Sequence, residues 1–120
     1  MALIESIIIE YLNGHSGITC PVCGDTPIGQ LPNQYILVEK KGNSCRDHIH
    51  TALIAVQSYS SISKASAAAL NEAIVGAMLD AITLPSISSC KLNSDYDFTD
   101  TAAKRYRYQA VFNVTYTREV

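Results

Sequence analysis

The sequence predicts an α+β domain: an antiparallel sheet of four to five strands with two helices packed on one face. Two observations carry this. Apolar residues recur at helical spacing in two separate stretches, and the last third of the chain alternates apolar and polar with period two. The order reads helix, hairpin, helix, hairpin, and hairpins imply an antiparallel sheet with helices covering one face. The other face is expected to stay polar.

The first helix is predicted over 2–13. Leu3, Ile4, Ile7, Ile8, Tyr11 and Leu12 share one wide face, and Ser6, Glu10 and Asn13 form a narrow polar arc. Ile9 falls outside the main stripe, so the apolar arc is wider than one packing contact needs. Asn13-Gly14 reads as the stop, with Gly14 in the left-handed conformation. Residues 14–33 are dense in Gly and Pro and read as loop, with a short edge strand near Ile18–Val22.

A strand is predicted over 34–41, a turn at Gly42-Asn43, and a longer strand over 47–59 whose middle, Ala52 to Val56, is apolar on both faces. The second helix is predicted over 63–83. Leu70, Ile74, Met78 and Ile82 follow an i, i+4 spacing, flanked by Ala67, Ala77 and Ala81, and Pro85 ends it. In "SCKLNSDYDF", Cys90, Leu92, Tyr96 and Phe98 are expected on one face, and Lys91, Asn93, Asp95 and Asp97 on the other. In "YRYQAVFNVTYT", Tyr106, Tyr108, Ala110, Phe112, Val114 and Tyr116 form the inward stripe, opposite Arg107, Gln109, Asn113, Thr115 and Thr117.

The 120 residues suggest one domain, 1–120, and 48% of them are hydrophobic against 17% charged, a globular composition. A chain of this size buries roughly two-thirds of its unfolded surface and needs neither metal nor disulfide to fold. The net charge of −2 gives no drive for phosphate binding, so sequence-specific nucleic-acid contact is not expected. The first residues lack a basic leader and a cleavage site, which predicts no signal peptide, and no stretch reaches the length of a membrane span. The expected compartment is a reducing cytoplasm, where four cysteines are thiols or metal ligands rather than disulfides.

"CPVCG", Cys20 to Gly24, resembles half of a zinc knuckle: two thiolates on a tight turn with glycine after the second. Cys45 and His48 could complete four ligands, making a small zinc-binding interaction module the alternative reading. Against it, the fold needs no metal, and unpartnered loop cysteines are ordinary. A redox role is weaker, because no helix opens after Cys20 to lower a thiol pKa. "HIH", His48 to His50, places alternate histidines on one strand face but lacks a fixed third ligand. "KRYRY", Lys104 to Tyr108, mixes basic and aromatic residues, but alternation puts the tyrosines in the core and Arg107 opposite. Asp95, Asp97 and Asp100 lack the glycine of a calcium loop and read, with Arg107, as a solvated polar face. No nucleophile elbow, phosphate loop or H-E-x-x-H occurs, so no enzyme and no cofactor is expected.

Three segments resemble a known family: "LPNQYILVEKKG", the long strand followed by the Ala-rich helix, and "DYDFTDTAAKRYRYQAVFNVTYT". They look like the tail terminator (tail completion, or tail-to-head joining) proteins of long-tailed bacteriophages, over most of the chain. "CPVCG" departs from that pattern. The resemblance implies a structural phage or prophage protein, made in the bacterial host cytoplasm and carried in the virion at the tail–head junction. It implies a ring, commonly of six copies, that caps the tail tube and meets the head connector. Partners would be itself, the tail tube protein and the connector, with no membrane. The wide apolar arc around Ile9 suits contact between copies, and Asp95, Asp97, Asp100, Lys104 and Arg105 are further candidates. The 14–33 and 93–105 segments are candidate binding arms.

Overall fold

The computed structural model describes residues 4–15, 17–18, 20–24, 33–47, 49–84, 87–97 and 106–117. Helix α1 spans Ile4–Asn13, strand β1 Val22–Cys23, β2 Gln34–Arg46 and β3 Ile49–Ser60. Helix α2 spans Lys64–Leu79 and tightens into a 3₁₀ turn over Asp80–Thr83, followed by β4 Ile87–Asp97 and β5 Tyr106–Thr117. The strands form one sheet in the order β1-β2-β3-β5-β4. Only β1 runs parallel to its neighbour; the other pairings are antiparallel. The predicted α+β class is therefore the observed one.

β3 and β5 lie side by side at the centre, in register from Ile49↔Thr117 to Ser60↔Tyr106. Their shared inner face is Ala52, Ile54, Val56, Ala110, Phe112 and Val114, all 0% exposed. α2 closes over this face, and α1 packs beside it on β1 and β2, completing one core. From α1 come Ile4, Ile8 and Leu12; from α2 come Leu70, Ile74, Ala77 and Met78. Of the expected stripes, Ile4, Ile8, Leu12, Leu70, Ile74 and Met78 are buried and Ile7 and Tyr11 half-buried, while Leu3 and the Ile82 side chain lie outside the described residues; the small residues Ala67, Ala77 and Ala81 let α2 and its 3₁₀ extension lie close to the sheet. Tyr11 ties the helices together, its hydroxyl donating to the Ala77 carbonyl at 2.7 Å. Ser63 caps α2 by accepting from the Ser66 N–H at 3.0 Å.

α1 stops where the sequence predicts, by a different device. Gly14 does not take the left-handed conformation. Its N–H still bonds to the Glu10 carbonyl at 3.1 Å. The Asn13 side chain instead clasps β1: Oδ1 accepts from the Val22 N–H and Nδ2 donates to the Val22 carbonyl, each at 3.1 Å. That double bond holds the short strand beside β2, where Val22 meets Ile36 and Cys23 meets Leu37. The expected edge strand therefore sits at Val22–Cys23.

Two bulges correct the sequence reading. The turn expected at Gly42-Asn43 is instead a bulge inside β2. Lys40 pairs with Ile54 and Gly42 with Leu53, so Lys41 is the inserted residue. The strand continues to Arg46, which pairs with Ile49, and the reversal falls at Asp47 with φ 53. Aspartate tolerates that left-handed geometry better than most side chains do. In β4, Leu92 pairs with Phe112 but Ser94 with Val111, leaving Asn93 inserted. Every later residue changes face. Asp95 and Asp97, expected outward, point to the helix side, and Tyr96, expected inward, points away; Phe98 lies outside the described residues.

The β5 stripe behaves as expected at its buried core, and Phe112 sits at its middle. Phe112→Ala should cost about 3–5 kcal/mol in urea unfolding, because neighbouring strands on both sides restrain collapse into the cavity. Ile62→Ala, at a side chain 63% exposed, should stay within about 0.5 kcal/mol.

Candidate functional site

The cysteine pair does not meet its expected partners. Cys23 lies beside Leu37, whereas Cys45 pairs with His50 eight positions further along β2. At ~3.3 Å per residue that is about 25 Å, too far for one ion to bridge. His48 lies outside the described residues. Among the described residues no group of three or more His, Cys, Asp or Glu side chains stands together. Among the described residues, Cys20, Cys23 and Cys45 of the expected four-ligand zinc module do not come together. The physical reason is that a single unbroken strand separates its two halves.

Burial pushes the thiols of Cys20 and Cys23 up, and that of Cys90 to about 11. These are protonated, poorly nucleophilic groups at neutral pH, unlike the depressed thiols of redox centres. All four cysteines are free. Cys45 is exposed at the end of the β2–β3 hairpin, with Sγ 3.6 Å from His50 Nε2. A shallow depression beside it is lined by Ser44, Cys45, Arg46, Asp47, Ile49 and Thr51.

The aspartates have intrachain partners. Asp95 Oδ1 accepts from Asn71 Nδ2 at 2.7 Å, and Asn71, on α2, is only 2% exposed. Lys64 Nζ lies 2.8 Å from Asp97 Oδ2, and that carboxylate raises the lysine pKa. The bulge at Asn93 makes both contacts possible. The expected solvated grouping of these aspartates with Arg107 is therefore not formed, since Arg107 belongs to the opposite face. Both carboxylates remain on exposed residues. Ile9 is half-buried and packs against the core, and a Cβ added at Gly24 would stand 3.5 Å from its Cδ1, so part of the wide apolar arc is covered within the chain. Asp100, Lys104 and Arg105 lie outside the described residues.

The face expected to be plainly polar and solvated is a cross-strand network. Tyr35 and Tyr59 stack at 4.6 Å with 7° between rings, and the Arg107 guanidinium sits 5.5 Å from the Tyr59 centroid. Arg107 donates to the Tyr59 hydroxyl at 3.0 Å. That hydroxyl donates to Gln57 Oε1 at 2.7 Å, and Gln57 Nε2 donates to Gln109 Oε1 at 2.8 Å. Gln109 Nε2 reaches the Tyr96 hydroxyl, completing a path from β2 to β4. Tyr35, Leu37, Gln57 and Gln109 are buried, although none belongs to the core beneath the helices. Sequence alternation gave the face of Gln109 but read that face as solvated, and it said nothing of Gln57; only the register shows that the two meet.

No protein-family model matches the chain, and no curated protein matches it. Solved structures do. One is a chain of the virion of a native gene transfer agent (GTA) particle, with a TM-score of 0.75 and 14% sequence identity over 92% of each chain. At that identity the likeness establishes the shared fold over nearly the full length of both chains.

The two aspartates should differ on mutation. Asp95→Ala strips the buried Asn71 amide of its partner and should cost about 1–3 kcal/mol. Asp97→Ala breaks an exposed ion pair and should cost no more than about 1 kcal/mol by the same urea unfolding. The thiols predict an alkaline effect. An acid whose folded pKa is raised stays protonated while the unfolded chain ionises, so stability falls as pH rises. For Cys90 the window runs from 9.0 to about 11, and Cys90→Ala should flatten the fall in urea midpoint across it.

Proposed function

We propose that this chain is a non-enzymatic structural component of a phage-like virion, acting as a ring at the tail–head junction. The observation that carries the reading is the end-to-end likeness to a GTA virion chain, covering 92% of both molecules. The resemblance of "LPNQYILVEKKG" and "DYDFTDTAAKRYRYQAVFNVTYT" to tail terminators supports the finer role. On this reading the mechanism is geometric. Copies close into a ring, commonly of six, on the end of the tail tube. One face stops addition of further tube subunits, and the other meets the head connector. A head-to-tail interface closes in this way when its rotation divides a full turn.

The residues proposed for contact between copies are Ile9, Asp95, Asp97, Asp100, Lys104 and Arg105. Ile9 offers the part of its side chain that the core leaves exposed. Asp95 and Asp97 offer exposed carboxylates already held in place by α2. A charged group fixed by an intrachain partner loses little side-chain entropy on docking, so it fits a repeated contact better than a free one.

The test is genetic and visual. Deleting the gene from its phage or prophage should yield headless tails of irregular length, and complementation should restore joined particles. Immunogold on restored particles should label the tail–head junction. Normal particles after deletion, or label elsewhere on the particle, would overturn the reading.

A further inference from the structure

The end of the β2–β3 hairpin holds a side-chain arrangement that the assembly reading does not use. Cys45 and His50 are directly opposed across the two strands, with Sγ and Nε2 3.6 Å apart. Behind the imidazole, Asn43 Nδ2 lies 3.3 Å from Nδ1. The ring stacks on Tyr116 at 5.1 Å with 18° between planes, and the Tyr116 hydroxyl donates to Asn43 Oδ1 at 3.1 Å. The histidine is therefore held on its face and at Nδ1, while Nε2 is aimed at a thiol on an exposed residue.

We propose that Cys45 and His50 form a two-residue seat for a borderline-soft divalent cation of the zinc and cadmium type. Zinc–sulfur and zinc–nitrogen distances of about 2.3 Å and 2.0–2.1 Å, at a tetrahedral angle of about 109°, put the two donors about 3.5–3.6 Å apart. The pair already stands at that separation. Metal-bound histidines donate their second ring N–H to a carbonyl, carboxylate or water, which fixes tautomer and orientation. Asn43 supplies a carbonyl once its amide is turned over, and the Tyr116 hydroxyl then accepts from the amide nitrogen. On binding, the thiol proton passes to solvent, a metal–sulfur bond forms, and water fills the remaining positions. Thiolate and imidazole select zinc-like ions over magnesium or calcium, which prefer all-oxygen shells. This seat is separate from the four-ligand site excluded above, and it stands whether or not the virion reading does.

The test uses the full chain carrying Cys20→Ser and Cys23→Ser, so that the C-x-x-C pair cannot contribute. Titration with cadmium should raise a thiolate charge-transfer absorbance that saturates at one ion per chain. Zinc should displace cadmium, and magnesium should not. Cys45→Ser should abolish the band, His50→Ala should weaken binding at least about tenfold, and Asn43→Ala should weaken it by roughly tenfold. Far-ultraviolet circular dichroism should show each variant folded, as expected for changes at the exposed hairpin end. No thiolate band, or a band that survives His50→Ala at full affinity, would overturn the proposal.

Discussion

The central pairing of β3 with β5 is the contact on which the rest of the molecule depends. It sets Ile54 against Phe112, Val56 against Ala110 and Ala52 against Val114, all excluded from water. β2 and β4 attach to the two outer sides of this pair, and α2 packs across it. A slip of one residue would turn the whole inner stripe to the other face. The alternation of β5 is what forbids that slip. Phe112, Val114 and Tyr116 bury apolar surface in one register, whereas Asn113 and Thr115 would take their places in the next.

The flanking strands then add what a regular ladder could not. β2 carries an inserted residue at Lys41, and β4 carries two, at Ser88 and Asn93. The Asn93 insertion has the largest consequence. It turns Asp95 toward α2, where Asn71 is buried and needs an acceptor for its amide. It also turns Tyr96 toward Gln109 on the far face. One extra residue thus supplies partners on both sides of the sheet. The Lys41 insertion does similar work at the other end, bringing Asn43 to the face where it meets His50 and Tyr116. In both places a polar side chain in or beside the core is held by a shift in pairing, not by a change of residue type.

This explains which parts of the molecule were legible in the sequence. Helical and two-residue periods are properties of contiguous residues, so α1, α2, β3 and β5 could be read directly. A bulge breaks the period by one, and nothing local in "KLNSDYD" marks Asn93 as the break. Gly42 was visible as irregular, but glycine serves a turn and a bulge equally well. The C-x-x-C motif misled for the same reason. Its local spacing is right, yet ligation depends on where Cys45 falls along β2, a matter of strand length. The network through Tyr59, Gln57, Gln109 and Tyr96 was hidden more deeply. Its members come from three strands, and their polarity reads as exposure until the register brings them together.

The same irregularities constrain how copies of this chain can associate. Among the described residues, β4 forms one border of the sheet, and β2 beyond its short contact with β1 forms much of the other. Free strand borders invite indiscriminate pairing, and bulges and charged side chains oppose it. β4 carries Lys91, Asp95, Asp97 and the insertions at Ser88 and Asn93; β2 carries Lys40, Lys41 and the insertion at Lys41. Backbone pairing of one copy's β4 with another's β2 would have to accommodate all of these irregularities at once. Under the proposed ring, contact through side chains such as Ile9 on α1 or the carboxylates of β4 would avoid these irregularities, whereas extension of the sheet would meet them.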